Sequence, residues 1–216
     1  MTNVLSHKNR RSTPWKNGGG TTAEVASAPE GASLSDFSWR VSIADITHDG
    51  PFSEFEGVDR IIVVIEGAGL VLGVDGVEHI LETMQPFNFS GDVGTMARLI
   101  GGPTRDINIM TRRHLTTAVL AIDPVTPQTT VAVDAIKYEE LVVIAASGIL
   151  TITDFGARHD ALRSPSRLVS RADPVRTSLT SLDAIHRYGP TSLELSGDGV
   201  AVVVRIRNLI APISNL

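Results

Sequence analysis

Apolar residues in this chain come in short runs of β-branched side chains, broken every few residues by Gly, Pro or Asp, and helical periodicity is scarce. Such spacing predicts an all-β protein, a sandwich or barrel rather than alternating strands and helices. Strands are expected at 21–26, 38–46, 60–66, 69–74, 96–100, 106–112 and 116–122. Further strands are expected at 131–133, 140–146, 150–154, 167–170, 192–195 and 200–207. Asp75-Gly76 reads as a tight hairpin turn, and Asp36–Ser38 and Leu182–His186 as short helical turns. Aromatic residues make up only 5% of the chain, so the core must be built from Val, Ile, Leu and Ala.

The pattern repeats weakly. Arg60–Leu72 and Glu140–Ile152 both read as an apolar strand, a small-residue turn and a second apolar strand. A strand ending in basic residues follows each, Asp106–Arg113 in one case and Val200–Arg207 in the other. The repeat predicts two similar β-lobes, 1–122 and 123–216, joined near Asp123–Thr130 with its two prolines. Trp15, Trp39, Phe52, Phe55, Phe87 and Phe89 all fall in the first lobe. The first lobe is therefore expected to carry the site and the second to support it.

Composition narrows the chemistry. A net charge of −5 argues against nucleic acid as a partner. The absence of cysteine excludes disulfides, thiolate catalysis and zinc–thiolate sites. Met1–Lys16 lacks the apolar segment of a signal peptide, and Ile61–Ile65 and Leu141–Ala146 are too short to span a bilayer. A soluble cytoplasmic protein with no membrane partner is expected. His7, His48, His79, His114, His159 and His186 are too scattered to supply two imidazoles from one strand, so no metal and no other cofactor is expected. No Gly-x-Ser-x-Gly elbow is present, and no paired carboxylates can be identified.

The densest cluster of unusual residues is Pro14-Trp15-Lys16-Asn17-Gly18-Gly19-Gly20-Thr21-Thr22. A glycine run is conformationally costly, which points to a sharp turn or a close approach of backbone. Its N–H groups could hold an anion, with Lys16 and Asn17 adding a cation and an amide. It is not a nucleotide loop, because the lysine precedes the glycines. Along Ser38–Ala44, Trp39, Val41 and Ile43 share one face and Arg40, Ser42 and Ala44 the other. Arg40 offers a planar fork suited to a carboxylate. Along Asp106–Arg112, Ile107, Ile109 and Thr111 face one way, while Asp106, Asn108, Met110 and Arg112 face a candidate cavity. Arg60 opens a buried strand after a turn-rich stretch whose Phe52 and Phe55 are placed to cap a barrel end.

These segments, with Phe37–Ser42, Gly50–Ser53, Asp59-Arg60, Phe89–Asp92 and Asp106–Met110 in this order and spacing, resemble the HutD/Ves family over roughly residues 14–113. The resemblance implies a bicupin, two jelly-roll-like β-barrels packed in one chain. It also implies a pocket in the first barrel and a link to histidine utilisation or stress response, with no activity established across the family. The residues carried over by motif are Trp15, Lys16, Asn17, Trp39, Arg40, Arg60, Asp92, Asn108 and Met110. The expected function is metal-free binding of a small acidic metabolite, with urocanate or N-formylglutamate as candidates, in a regulatory or protective role. A metal-independent isomerase or hydrolase is the second reading, and a purely structural or partner-binding protein the third. Pairing of edge strands between subunits would make a homodimer.

Overall fold

The computed structural model describes residues 3–157 and 173–209. Their regular structure is strand throughout, apart from one 3-10 turn at His7–Asn9. In chain order the strands are β1 (Val4–Leu5), β2 (Ser12–Pro14), β3 (Gly20–Ala28), β4 (Trp39–Ile46), β5 (Gly50–Phe52) and β6 (Val58–Glu66). Next come β7 (Leu70–Val74), β8 (Val77–Leu81), β9 (Pro86–Ser90), β10 (Thr95–Leu99), β11 (Thr104–Arg112) and β12 (Thr116–Val125). The last five are β13 (Val131–Ala135), β14 (Glu139–Asp154), β15 (Val175–Thr180), β16 (Ala184–Tyr188) and β17 (Thr191–Asn208). None of the described elements is a helix long and apolar enough to cross a membrane. The all-β expectation holds. Of the expected elements, the strand at Arg167–Ser170 and His159 lie outside the described residues.

The chain divides into two units, between Ala118 and Val119. The cut falls inside β12 rather than at the proline-flanked segment 123–130. Residues at the amino terminus also leave the first unit: Val4 and Leu5 pair with Ile185 and Ala184 on β16, and so belong with the second. Within the first unit, a six-stranded sheet ordered β2-β3-β4-β11-β6-β9 and a four-stranded sheet ordered β5-β10-β7-β8 make up the architecture. The second unit is a single seven-stranded sheet on the path β1-β16-β14-β17-β12, with β13 on β17 and β15 on β14. Two all-β units fit a bicupin, although their sheets are open and not closed hydrogen-bonded barrels.

Local chemistry explains where the strands turn. Asp75 and Gly76 both have positive φ, 48° and 78°, and Val74 pairs directly with Val77 across them. This is the two-residue hairpin that Asp-Gly favours. The internal repeat is less exact than its sequence pattern. In the first copy, Gly67–Gly69 carries the chain from the six-stranded sheet into the four-stranded one. In the second, Ser147-Gly148 does not turn at all. β14 runs on from Glu139 to Asp154, with a register shift between Ala145 and Ser147. A bulge of this kind bends a strand without ending it. Leu182–His186 is likewise not helical, because Ala184–Tyr188 pairs with β14 as β16. Asp36 lies in a turn.

The interior of the second unit is solidly aliphatic. Val133, Leu141, Val143, Leu150, Ile152, Leu179, Leu193, Leu195 and Val203 pack into one buried cluster. Leu150 is fully buried there. Replacing it with Ala removes apolar burial and leaves a cavity, so Leu150→Ala should lower the unfolding free energy by about 2–5 kcal/mol. Urea titration measures this, and a loss well under 1 kcal/mol would mean that the cluster is looser than described.

Candidate functional site

Four neighbouring strands of the first unit, β3, β4, β11 and β6, align their residues in rows across the six-stranded sheet. Asp106 stands opposite Ala44, which stands opposite Thr22. Asn108 stands opposite Ser42, which stands opposite Glu24. Met110 stands between Arg40 and Arg60. Because strand side chains alternate between faces, these three rows share one face. They line a cavity of about 900 Å³, with Trp15, Lys16, Asn17, Phe52, Ser53 and Phe55 among the other lining residues. The other face of the same strands carries Trp39, Val41, Ile107 and Ile109, all fully buried.

The rim is built by the glycine motif. Gly18 has a φ of 72°, which a side chain adopts only with strain. Gly20 runs so close to β4 that a Cβ there would lie 2.3 Å from the Asp45 carbonyl oxygen. The loop is closed by Trp15 N–H donating to the Gly20 carbonyl at 2.9 Å, and by Gly18 N–H donating to the Trp15 carbonyl at 3.0 Å. Asn17 is a staple: its Oδ1 accepts from Gly19 N–H at 3.0 Å, and its Nδ2 donates to the Pro51 carbonyl at 3.2 Å. The N–H groups of Gly18 and Gly19 are therefore spent inside the loop and do not form an anion nest. Trp15 is fixed by its Nε1–H donating to Thr22 Oγ1 at 2.7 Å and by edge-on contact with Phe52.

Deeper in the cavity stands Arg60, which is only 5% exposed. Its guanidinium carbon lies 4.7 Å from the ring centre of Phe89, 5.4 Å from Phe52 and 5.7 Å from Phe55. One NH donates to the Ser53 carbonyl at 3.3 Å, whereas the buried Nε has no hydrogen-bond partner among the described residues. Burial pulls its pKa down to about 10, against the opposing charge of Asp106. Asp106 itself is buried, and desolvation pushes its carboxyl up to about 7; Arg60 opposes that rise and Asp45 adds to it. The Oδ1 of Asn108 is buried and also lacks a partner among the described residues.

Arg40 is differently placed. Its Nε donates to Glu24 at 2.8 Å and its NH1 to Ser42 Oγ at 3.1 Å, so much of its fork is already committed within the wall. Trp39 and Asp92 lie outside the cavity. Trp39 is on the opposite, fully buried face. Asp92 ties a turn together, accepting from Ser90 Oγ, Gly57 N–H at 2.6 Å and Arg113 at 2.7 Å. Those bonds, the one from Ser90 foremost, hold its carboxyl well below the usual range. Trp15, Lys16, Asn17, Arg40, Arg60, Asn108 and Met110 do line the cavity. Sequence reading passed over Glu24, Ser42 and Asp106 as site residues. Asp106 and Ser42 were legible from the alternation of their strands; Glu24 becomes visible only through its pairing with Ser42. No group of three or more His, Asp or Glu side chains among the described residues is arranged to hold a metal ion.

The raised Asp106 carboxyl has a testable consequence. Its folded pKa lies above the ordinary 3.8, so the folded protein holds this proton more tightly than the unfolded chain does. The stabilisation is complete below about pH 4 and is lost as pH rises through about 7. Asp106→Asn cannot ionise. The stability of this variant relative to the parent should therefore increase steadily between about pH 5 and pH 8 in urea titrations without ligand. A difference that stays flat with pH would show that Asp106 ionises normally.

The HutD family model matches residues 7–188. Protein Ves of Citrobacter koseri is 46% identical over 101 residues, 46% of this chain and 52% of that protein. An uncharacterised 21.2 kDa protein from the hutC 3′ region of Pseudomonas putida is 46% identical over 98 residues, 45% of this chain and 51% of its own length. The matched region thus spans about half the length of these curated relatives. Among solved structures, HutD from Pseudomonas fluorescens SBW25 superposes with a TM-score of 0.74 at 29% identity, covering 96% of this chain and 99% of that one. Oxalate decarboxylase from Lactobacillus farciminis, at 8% identity and a TM-score of 0.66, shares the fold alone, over 95% of this chain and 86% of that one. With a family model covering most of its length and a cupin-like all-β fold, this chain belongs to the HutD family.

Proposed function

We propose that the first unit binds a small acidic metabolite in its cavity, and that the protein serves a regulatory or protective role in metabolism rather than a metal-dependent reaction. The observation that carries this reading is Arg60: a buried guanidinium on a cavity wall, with its Nε unpartnered among the described residues. A buried cation is expensive unless it is paired. A ligand carboxylate beside the guanidinium would offset its charge, and charge-assisted bonds to it contribute about 1.5–3 kcal/mol each. Lys16 and Arg11 also line the cavity and add positive charge for an incoming anion. A few such bonds with apolar burial against Trp15 and Phe52 reach the roughly 8 kcal/mol that micromolar affinity requires. The relative in the hutC 3′ region and the HutD structure favour an acid of histidine degradation, with urocanate and N-formylglutamate as candidates. We place this activity in the cytoplasm, in a homodimer paired through edge strands.

Asp106 favours a second reading. A carboxyl that titrates near neutrality inside a cavity is suited to moving protons, so a metal-independent isomerase or hydrolase acting on the same acid is the rival. Turnover lost in Asp106→Asn would support it.

Arg60→Met tests the main proposal. Removing a desolvated charge in favour of an apolar side chain of similar length should leave the ligand-free protein as stable as before or more so. Affinity for a pathway acid, by isothermal titration calorimetry, should fall by about tenfold or more. The proposal is sunk if no carboxylate of that pathway binds the parent protein at millimolar concentration, or if Arg60→Met binds one equally well.

A further inference from the structure

Strand alternation puts Arg112 in line with Asp106, Asn108 and Met110, yet Arg112 is not among the residues that line the cavity. Its guanidinium turns instead to residues 29–37, which connect β3 to β4. Nε donates to the Phe37 carbonyl at 3.0 Å, and NH2 donates to the Ser35 carbonyl. The guanidinium carbon stands 5.2 Å from the centre of the Phe37 ring, and Phe37 is fully buried at the foot of the connection.

The connection is a loop with touching ends, because Ser38 N–H and Ser38 Oγ both donate to the Ala28 carbonyl, at 2.7 Å and 2.9 Å. Loops of this kind pack on themselves and frequently carry function. The tip is knit internally. Asp36 accepts from Ser33 Oγ at 2.6 Å and from Ser35 Oγ at 3.0 Å, and its N–H donates to the Ser33 carbonyl at 3.2 Å. Gly31, Ala32, Ser33 and Leu34 line the cavity, and Leu34 is 55% exposed. Among the described residues, 30–34 form no hydrogen bond outside the loop, and their packing contact is Ala32 against Phe37, Val58 and Met110. The rest of the wall is fixed. Four strands of one sheet make its floor, and the glycine motif is tied to the Pro51–Phe55 segment through Asn17 and the Pro51 carbonyl. A segment held to its sheet at so few points opens locally at far lower cost than the sheet unfolds. We infer that residues 29–37 are a flap on the cavity and that Arg112 is the positioning residue that latches it. Release of this one side chain from the Ser35 and Phe37 carbonyls lets Leu34 and its neighbours swing away and opens a path to the interior. The latch governs access alone, so it does not rest on the acid-binding reading.

The chain has no cysteine, so one introduced thiol reports access without background. Ala44→Cys places it on the cavity face of β4. The probe is N-ethylmaleimide, an uncharged thiol reagent, applied to the full chain without ligand. Arg112→Met keeps an unbranched side chain beside Phe37 and removes both bonds to the loop. It should speed labelling of the thiol by about tenfold or more, as expected when two bonds from a charged donor are lost. Arg112→Lys keeps the charge without the planar fork and should speed labelling by a smaller factor, about threefold. It also serves as the second variant should Arg112→Met disturb the fold. Amide hydrogen exchange followed by mass spectrometry supplies the readout that a general loosening would not give. Peptides covering 29–38 should exchange about tenfold faster in Arg112→Met, with β6 and β11 unchanged. Three results overturn the inference: a parent thiol that already reacts as fast as an exposed one, labelling rates within twofold of the parent in both variants, or faster exchange spread equally over β6 and β11. Failure of every pathway acid to bind would sink the acid-binding reading and leave the latch standing.

Discussion

A guanidinium held among three phenyl rings governs the first unit. Burial alone would make Arg60 a liability, since the medium around it screens charge poorly and water is largely excluded. The Phe89, Phe52 and Phe55 faces return part of the lost hydration through their π-electrons. The Asp106 carboxylate, when ionised, returns some of the rest. Yet Asp106 is itself pushed toward its neutral form by the same desolvation. The two groups are thus only partly compensated, and the deficit lies on the cationic side. A cavity with that imbalance at its wall is predisposed toward an anion before any particular ligand is considered.

The contrast between the units shows why the imbalance persists. In the second unit, Leu141, Val143, Leu150, Leu193, Leu195 and Val203 fill the interior, and the buried carboxylates are paired within the unit, Glu139 with Arg205 and Arg207 and Glu140 with His186. In the first, Ile46, Ile62, Val64, Leu70 and Leu72 fill only part of the interior in the same way. Arg40, Ser42, Asn108 and Met110 stand where a continuous aliphatic packing would require Val or Leu. Close packing of apolar side chains is what interiors do when they are free to do it. Here polar Arg40, Ser42 and Asn108, beside the buried Met110, line an open cavity in its place.

Much of this was legible in the residues. Strand alternation in Ser38–Ala44 and Asp106–Arg112 separates the cavity wall from the buried aliphatic face, because a two-residue period leaves little ambiguity once one face is apolar. The aromatic imbalance between lobes pointed to the first, which is where the cavity lies. Other features needed coordinates. Ser147-Gly148 reads like Gly67–Gly69, yet one bends a strand and the other ends it, since a bulge and a turn use the same small residues and differ in pairing partners far away in sequence. Trp39 and Asp92 belong to the same motifs as the true wall residues, but motif membership does not say which face a residue takes. Asn17 looked like a ligand group because its amide is bifunctional, and the same bifunctionality lets it hold the Gly19 N–H and the Pro51 carbonyl at once.

Hydrogen bonding within the wall decides which polar groups remain for a ligand. Arg40 is a better-presented fork than Arg60 in sequence terms, but Glu24 and Ser42 occupy it. That pairing leaves Arg60, whose Nε has no hydrogen-bond partner among the described residues, as the less satisfied of the two guanidinium groups on the wall. Release of Arg40 from Glu24 would free a further guanidinium, and the Glu24 carboxylate with it, at a wall that Arg60, Lys16 and Arg11 already line, so the pair fixes the charge balance of the cavity.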